Sequence, residues 1–240
     1  MTPLVRRLLA PVERWRFTLL LALLILAFFM APLLRTTILG DALQILLYAS
    51  IFGAVVHLSR EALGGRGFGA ATVGLWVVIT VLTEQVGGAF LPALALFVTI
   101  GLVAWMTACT LSLLFQETEA DGDALAGAVF GYFLLTLLWS LLFVALQIWV
   151  PGSIGVAEGT TDLHTEMLYF SLVTFTTLGY GDVLPTTPFA KIMAGIAGAM
   201  GTLYLAILIG RVVSVIKGPK ARRDDRPGAA ETAPPEAPER

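Results

Sequence analysis

The residues whose types and spacing bear most directly on chemistry lie in one stretch, Thr174-Phe175-Thr176-Thr177-Leu178-Gly179-Tyr180-Gly181-Asp182. Glycines at alternate positions, Gly179 and Gly181, permit a backbone that switches between conformations of opposite hand without steric penalty. Such alternation aligns successive carbonyl oxygens along one side of the chain. A row of oxygens is what a cation needs when it gives up its water shell. By itself Gly-Tyr-Gly-Asp is a turn-like tetrapeptide, so its surroundings must decide. Elsewhere there is no nucleophile–base pair, metal cluster or phosphate loop, and no enzyme is expected. The run Glu117-Thr118-Glu119-Ala120-Asp121-Gly122-Asp123 resembles a divalent-ion loop only loosely. It lacks the full calcium-loop spacing and the distal bidentate glutamate, and is read as a solvated acidic connector. Cys109, the one cysteine, lies in an apolar run and is read as inert packing. His57 is a minor candidate for a pH role.

The elements that must hold this stretch are set by solvent. Of the 240 residues, 57% are hydrophobic and 13% charged, and the net charge is −2. That charge fraction is about half the usual one for a soluble domain. The apolar residues come in six blocks, near residues 17–34, 42–58, 69–83, 89–115, 124–150 and 188–216. Phe17 to Leu34 runs unbroken between Arg16 and Arg35, long enough to cross a hydrocarbon core of roughly 30 Å. No small-x-small cleavage site follows it, so it is expected to be a retained helix. The third block is short and its end uncertain at Glu84 and Gln85; the fourth is long, with Pro92 or Gly101 as possible kinks.

Basic residues orient the blocks. With both ends cytoplasmic, Arg6, Arg7, Arg14, Arg16, Arg60, Arg66 and the cluster from Arg211 to Arg240 lie inside, and only Arg35 and Lys191 fall outside. That requires an even number of spans and puts the loop from Pro151 to Thr187 on the external face. The tail from Gly218, rich in Pro, Ala, Gly and charge, is expected to be disordered.

With spanning helices on both sides and threonines before it, the glycine stretch resembles the selectivity filter of the potassium channel superfamily, the Thr-Val-Gly-Tyr-Gly type, with Leu178 in place of valine. The resemblance covers roughly Ala124 to Lys217. It implies an all-α membrane protein of six transmembrane helices, whose helix–pore loop–helix module forms a homotetrameric pore in the bilayer of the cell membrane. It also implies K+ ligands: the carbonyls of Thr177, Leu178, Gly179 and Tyr180 with the Thr177 hydroxyl, and Gly181 completing the alternation. One chain supplies one strip of oxygens, so four are needed around an axis. K+ is the permeant ion; no cofactor and no nucleic acid are implied, and a regulatory partner is unknown.

Further features follow the family pattern. Thr161 or Asp162 can cap a pore helix running to about Phe175, with Glu166 in its early turns. Thr176, Asp182, Tyr169 and Phe170 are expected to support the filter. Many relatives carry two tryptophans where this chain has Tyr169-Phe170, and some carry a glutamate where it has Val173. Phe170 cannot donate to Tyr180, which leaves Tyr169 as a partner for Asp182. Fewer lateral bonds imply unusual inactivation. Gly201, twenty residues past Gly181, stands where the family places an inner-helix hinge, with Thr202, Leu205 and Ile209 lining the cavity. Close packing is the alternative for Gly201, and suits Gly195 and Gly198 better.

The expected organisation is therefore a cytoplasmic N-terminus (1–16), a four-helix module without sensor charges (17–115), an acidic linker (116–123), a pore module (124–217) and a tail (218–240). Voltage sensing needs charge in the field, worth about 2.3 kcal/mol per elementary charge per 100 mV. Ala89 to Phe115 contains no Arg, Lys or acidic residue. Trp76 and Trp105 are read as packing before interfacial belts. The expectation is passive potassium conduction without steep voltage dependence; the alternatives are a non-selective cation channel and a non-conducting adaptor. Tyr180 opposes the first, because non-selective relatives usually replace that tyrosine.

Overall fold

The computed structural model describes residues 15–34, 38–58, 65–85, 88, 90–116, 122–156 and 162–216. The acidic residues 117–121, the tail from 217 and most of the N-terminus lie outside these. So do Arg35, Arg60 and Thr161, and the side chains of Asp41, His57, Arg66, Glu84 and Arg211.

Each apolar block is a helix: α1 (Arg16–Leu34), α2 (Ile38–Leu58), α3 (Gly65–Gln85), α4 (Phe90–Gln116), α5 (Gly122–Trp149) and, last in the chain, α7 (Pro188–Ile216). Between the last two lie a short helix, α6 (Leu163–Phe175), and a two-stranded clip, β1 (Ile154–Gly155) paired antiparallel with β2 (Leu184–Pro185). The described residues thus hold seven helices, and the class is all-α. Four of them, α1, α4, α5 and α7, are long and apolar enough to cross a membrane. The apolar parts of α2 and α3 are shorter, Ala42–Val56 and Ala70–Thr83. α3 does extend through Glu84 and Gln85. α4 runs on past both suspected kinks, because Pro92 falls in its first turn, where the missing N–H has no intrahelical partner to lose.

α5 is the hub. It packs against α1 and α4 on one side and α6 and α7 on the other, and 72% of it is buried. The first side belongs to a core that includes Phe17, Leu24, Phe52, Trp76, Met106 and Phe130. Trp76 is buried, donating its Nε1–H to Thr99 Oγ1 at 2.8 Å, so it is a packing residue. Cys109 is buried as well. The second core lies under the glycine stretch and includes Tyr132, Phe143, Met167, Phe170 and Phe175.

One reading of the acidic connector is corrected. Asp123 is not solvated: it lies in the first turn of α5, 7% exposed, and caps the start of α1. Its carboxylate accepts from Phe17 N–H (3.3 Å), Thr18 N–H (2.9 Å) and Thr18 Oγ1–H (3.0 Å). The first N–H groups of any helix lack intrahelical acceptors, and an acid there also meets the favourable end of the dipole. Asp123 thereby ties α1 to α5 at one end.

Candidate ion pathway

The approach to the glycine stretch is a capped helix. Asp162 is the N-cap of α6, its Oδ1 accepting from His164 N–H (3.1 Å) and Thr165 N–H (3.2 Å), with Glu166 in the first turn. A buried bond fixes α6 on the hub, from Ser171 Oγ–H to Thr136 O at 2.7 Å. Phe170 turns toward α5, edge to face with Phe143 at 4.9 Å between ring centres, and so sits in the core beneath the stretch.

α6 ends in a specific turn. Leu178 N–H donates to Val173 O (3.0 Å) and Thr177 N–H to Thr174 O (3.1 Å), while Thr176 gives its N–H and hydroxyl to Leu172 O. This is the Schellman pattern, which requires a left-handed residue at the position of Thr177. Thr177 has φ +57°. A β-branched side chain rarely adopts that conformation, and glycine usually holds the position. Gly179 follows at φ +56° and Gly181 at φ +83°. Positive φ therefore recurs at every second residue, 177, 179 and 181. The sequence argument identified the two glycines and missed the threonine, because no residue-type signal marks it.

Beyond the stretch, Asp182 is held from two sides. Tyr169 donates its hydroxyl to Asp182 Oδ2 at 2.6 Å, and Val183 N–H donates to Oδ1 at 3.0 Å. The Tyr169 hydroxyl bond lowers the Asp182 carboxyl below its ordinary value. The same bond, with smaller contributions from desolvation and nearby negative charge, pushes Tyr169 up to about 12. The strand clip secures the outgoing chain: Thr186 N–H donates to Ser153 O at 2.9 Å, its hydroxyl donates to Gly152 O, and Gln147 Oε1 receives Ser153 Oγ–H and Ile154 N–H. The Tyr169–Asp182 pair was named from the sequence; none of the clip's bonds was.

On α7 the glycine assignments are reordered. A Cβ on Gly201 would lie 2.5 Å from Phe175 O and 2.9 Å from Phe175 Cα, both backbone atoms. Gly201 thus lies directly against the backbone at the end of α6. Gly198 faces Thr174 at ordinary contact distance, and among the described residues Gly195 has no such neighbour, contrary to the expectation for that residue. Thr202 and Leu205 are exposed, Thr202 bonding back to Gly198 O; the side chain of Ile209 lies outside the described residues. Leu178 and Tyr180 are 58% and 68% exposed within the single chain.

Residues 124–218 match the family model described as an ion channel. The match is to channels, not enzymes, and with the long apolar helices it makes the chain a multi-pass membrane protein. Several curated proteins resemble part of the chain. Two-pore potassium channel 4 of Arabidopsis thaliana is 44% identical over 54 residues, 22% of this chain and 19% of that protein. Potassium voltage-gated channel protein shk-1 of Caenorhabditis elegans is 32% identical over 85 residues, 34% of this chain and 16% of its own. The intermediate conductance calcium-activated potassium channel protein 4 of Rattus norvegicus is 34% identical over 89 residues, 35% and 21%. The chain therefore spans no more than about a fifth of the length of these relatives. No solved structure gives a significant match.

Proposed function

We propose that the chain is one subunit of a homotetrameric, potassium-selective channel that conducts passively across the cell membrane. All six long helices span, and both termini are cytoplasmic. The observation that carries this reading is the recurrence of left-handed backbone at Thr177, Gly179 and Gly181 directly after the end of α6. Alternating hand turns consecutive peptide units the same way, so the carbonyls of Thr177, Leu178, Gly179 and Tyr180, with the Thr177 hydroxyl, present one row of oxygens. Four rows around an axis replace the water shell of a potassium ion.

Two further facts support the assembly. Only 11% of the apolar part of α7 is buried within the chain, and Leu178 and Tyr180 are largely uncovered. Three more subunits cover these surfaces and leave Thr202, Leu205 and Ile209 to line the inner cavity. The relatives named above are potassium channels, and the likeness to them supports potassium as the ion. α4 carries no charged residue, so it has no gating charge to move and the conductance lacks steep voltage dependence.

The test is reconstitution of the whole chain in liposomes with opposed potassium and sodium gradients. A reversal potential near that of potassium is expected. A value midway between the two ions identifies a non-selective pore, and no current identifies an adaptor. Gly179→Ala lowers the preference: among the described residues none beyond its chain neighbours crowds the position, but a side chain at φ +56° is strained.

A further inference from the structure

Past the contact of Gly201 with Phe175, α7 runs on to Ile216 with little of its own chain beside it. From Thr202 to Ile207 every residue except Tyr204 is exposed. Tyr204 reaches back to α5, where its hydroxyl donates to Ala128 O at 2.7 Å. The notch that admits it depends on a missing side chain, since a Cβ on Gly131 would lie 2.6 Å from Tyr204 Oη. Ala128 lies inside α5, so its carbonyl is already placed to accept the N–H of Tyr132, one turn on. The bond from Tyr204 can therefore be released without orphaning a carbonyl.

The neighbouring phenol is in the opposite condition. Tyr132 is 7% exposed, and its ring packs against those of Tyr204, Phe175 and Phe133 at 5.7, 5.9 and 6.0 Å between centres. Its hydroxyl is buried, with no hydrogen-bond partner among the described residues. The two phenylalanine rings offer it no acceptor in their plane, and the Tyr204 hydroxyl is engaged with Ala128 O. A buried hydroxyl without a partner is costly, the more so where hydrocarbon supplies no water. One satisfied and one unsatisfied phenol thus stand side by side.

We propose that these two tyrosines form a conformational switch for the half of α7 beyond Gly201. In the latched position, the one seen, Tyr204 holds that half against α5 and Tyr132 stays unpaired. In the released position that half shifts along α5, Tyr204 Oη leaves Ala128 O and accepts the Tyr132 hydroxyl instead. Tyr204 is only part-buried, so leaving its own O–H unpaired costs less than leaving that of Tyr132. The two positions are close enough in free energy for both to be populated. Tyr132 also touches Phe175, which directly precedes the glycine stretch, so the switch reaches both α7 and the base of the proposed filter. Its effect on current rests on the channel reading; its existence does not.

The experiment places one trifluoromethyl label at exposed Ile207, through Ile207→Cys, in the full chain in detergent, and counts the populations by fluorine NMR. Cys109 is buried and stays unlabelled. Separate latched and released resonances are expected. Tyr204→Phe keeps the ring, removes the latch and should raise the released-to-latched ratio about two- to tenfold, the worth of one hydrogen bond. Gly131→Ala, whose methyl takes the place of the hydroxyl, should raise it as well. Tyr132→Phe removes the unpaired hydroxyl and should lower the ratio by a similar factor, with a higher Tm. Populations that move the same way in Tyr204→Phe and Tyr132→Phe, or that either substitution leaves unchanged, overturn the switch. So does one unshifted resonance throughout. In liposomes the same two substitutions should move open probability in opposite senses. Selective potassium current with unmoved populations sinks the switch alone; opposed populations without current sink the channel reading alone.

Discussion

Thr177 carries two demands that conflict. As the left-handed residue closing α6 it would be better as glycine, since an L side chain there costs about 1–2 kcal/mol. As an ion ligand in the proposed filter it needs its hydroxyl. Thr177→Gly separates them: relief of strain offsets the roughly 0.5–1 kcal/mol of added chain entropy. Thermal unfolding should therefore show stability unchanged or slightly raised, while the reversal potential shows reduced potassium preference. Tyr169 and Asp182 give a second residue-scale prediction. Asp182 is lowered, so the stabilisation from their bond is fully present above the ordinary carboxylate value and lost as pH falls through the lowered one. Tyr169 is raised, so the high-pH loss begins only above the ordinary tyrosine value of 10.0 and completes near 12. Sustained current should be flat across neutral pH, decline in strong acid, and decline again above the ordinary tyrosine value. Tyr169→Phe should remove that acid dependence and alter inactivation; recordings unchanged by the substitution would count against the pair as the lateral support of the filter.

At the scale of elements, the decisive contacts are small residues and caps at crossing points. Gly201 lets α7 lie on the backbone of Phe175, and Phe175 is itself fully buried against Tyr132. Gly201→Ala must displace backbone, so a loss of about 1–3 kcal/mol is expected in thermal or denaturant unfolding. A residue acting only as a hinge would instead change open probability with stability intact or raised, because alanine is the better helix former. Gly131 plays a related part, leaving room for the Tyr204 hydroxyl to reach Ala128 O at 2.7 Å, which pins α7 to α5. The Asp123 cap does the same between α1 and α5. These ties explain why α5 holds both cores together, and why movement of the first four helices would reach the pore module through it.

The whole molecule presents an imbalance. α5 is mostly buried within one chain and α7 mostly exposed, with Phe189, Ile192, Leu203 and Ile207 each more than 60% exposed. Surfaces of that kind in a multi-pass protein face lipid or copies of the chain. The uncovered Tyr180 beside them favours copies. Purified protein in potassium should run as a particle of four chains, and replacing potassium by sodium should lower its dissociation temperature, since an ion bound only by the tetramer stabilises it by mass action. A monomer under both conditions would remove the four-fold pore.

Much was legible from sequence because the membrane imposes a coarse rule. Backbone polar groups must bond within the segment, so a long apolar run becomes a helix, and the six expected runs match α1 to α5 and α7 to within a few residues. The glycine stretch was legible too, because Gly179 and Gly181 mark positions that other residues reach only with strain. Where the determinant was a partner and not a residue type, sequence was silent or misleading. Asp123 looked solvated until α1 was seen to bring its N-terminus there, and Gly201, set at the hinge position with packing better suited to Gly195 and Gly198, is the one that meets Phe175. The left-handed turn at Thr177 has the same origin, for it is imposed by the bonds that close α6. Patterning along a chain fixes which segments are helical and which can bend backward; which atoms then lie within 3 Å depends on how helices cross, and that only the tertiary structure decides.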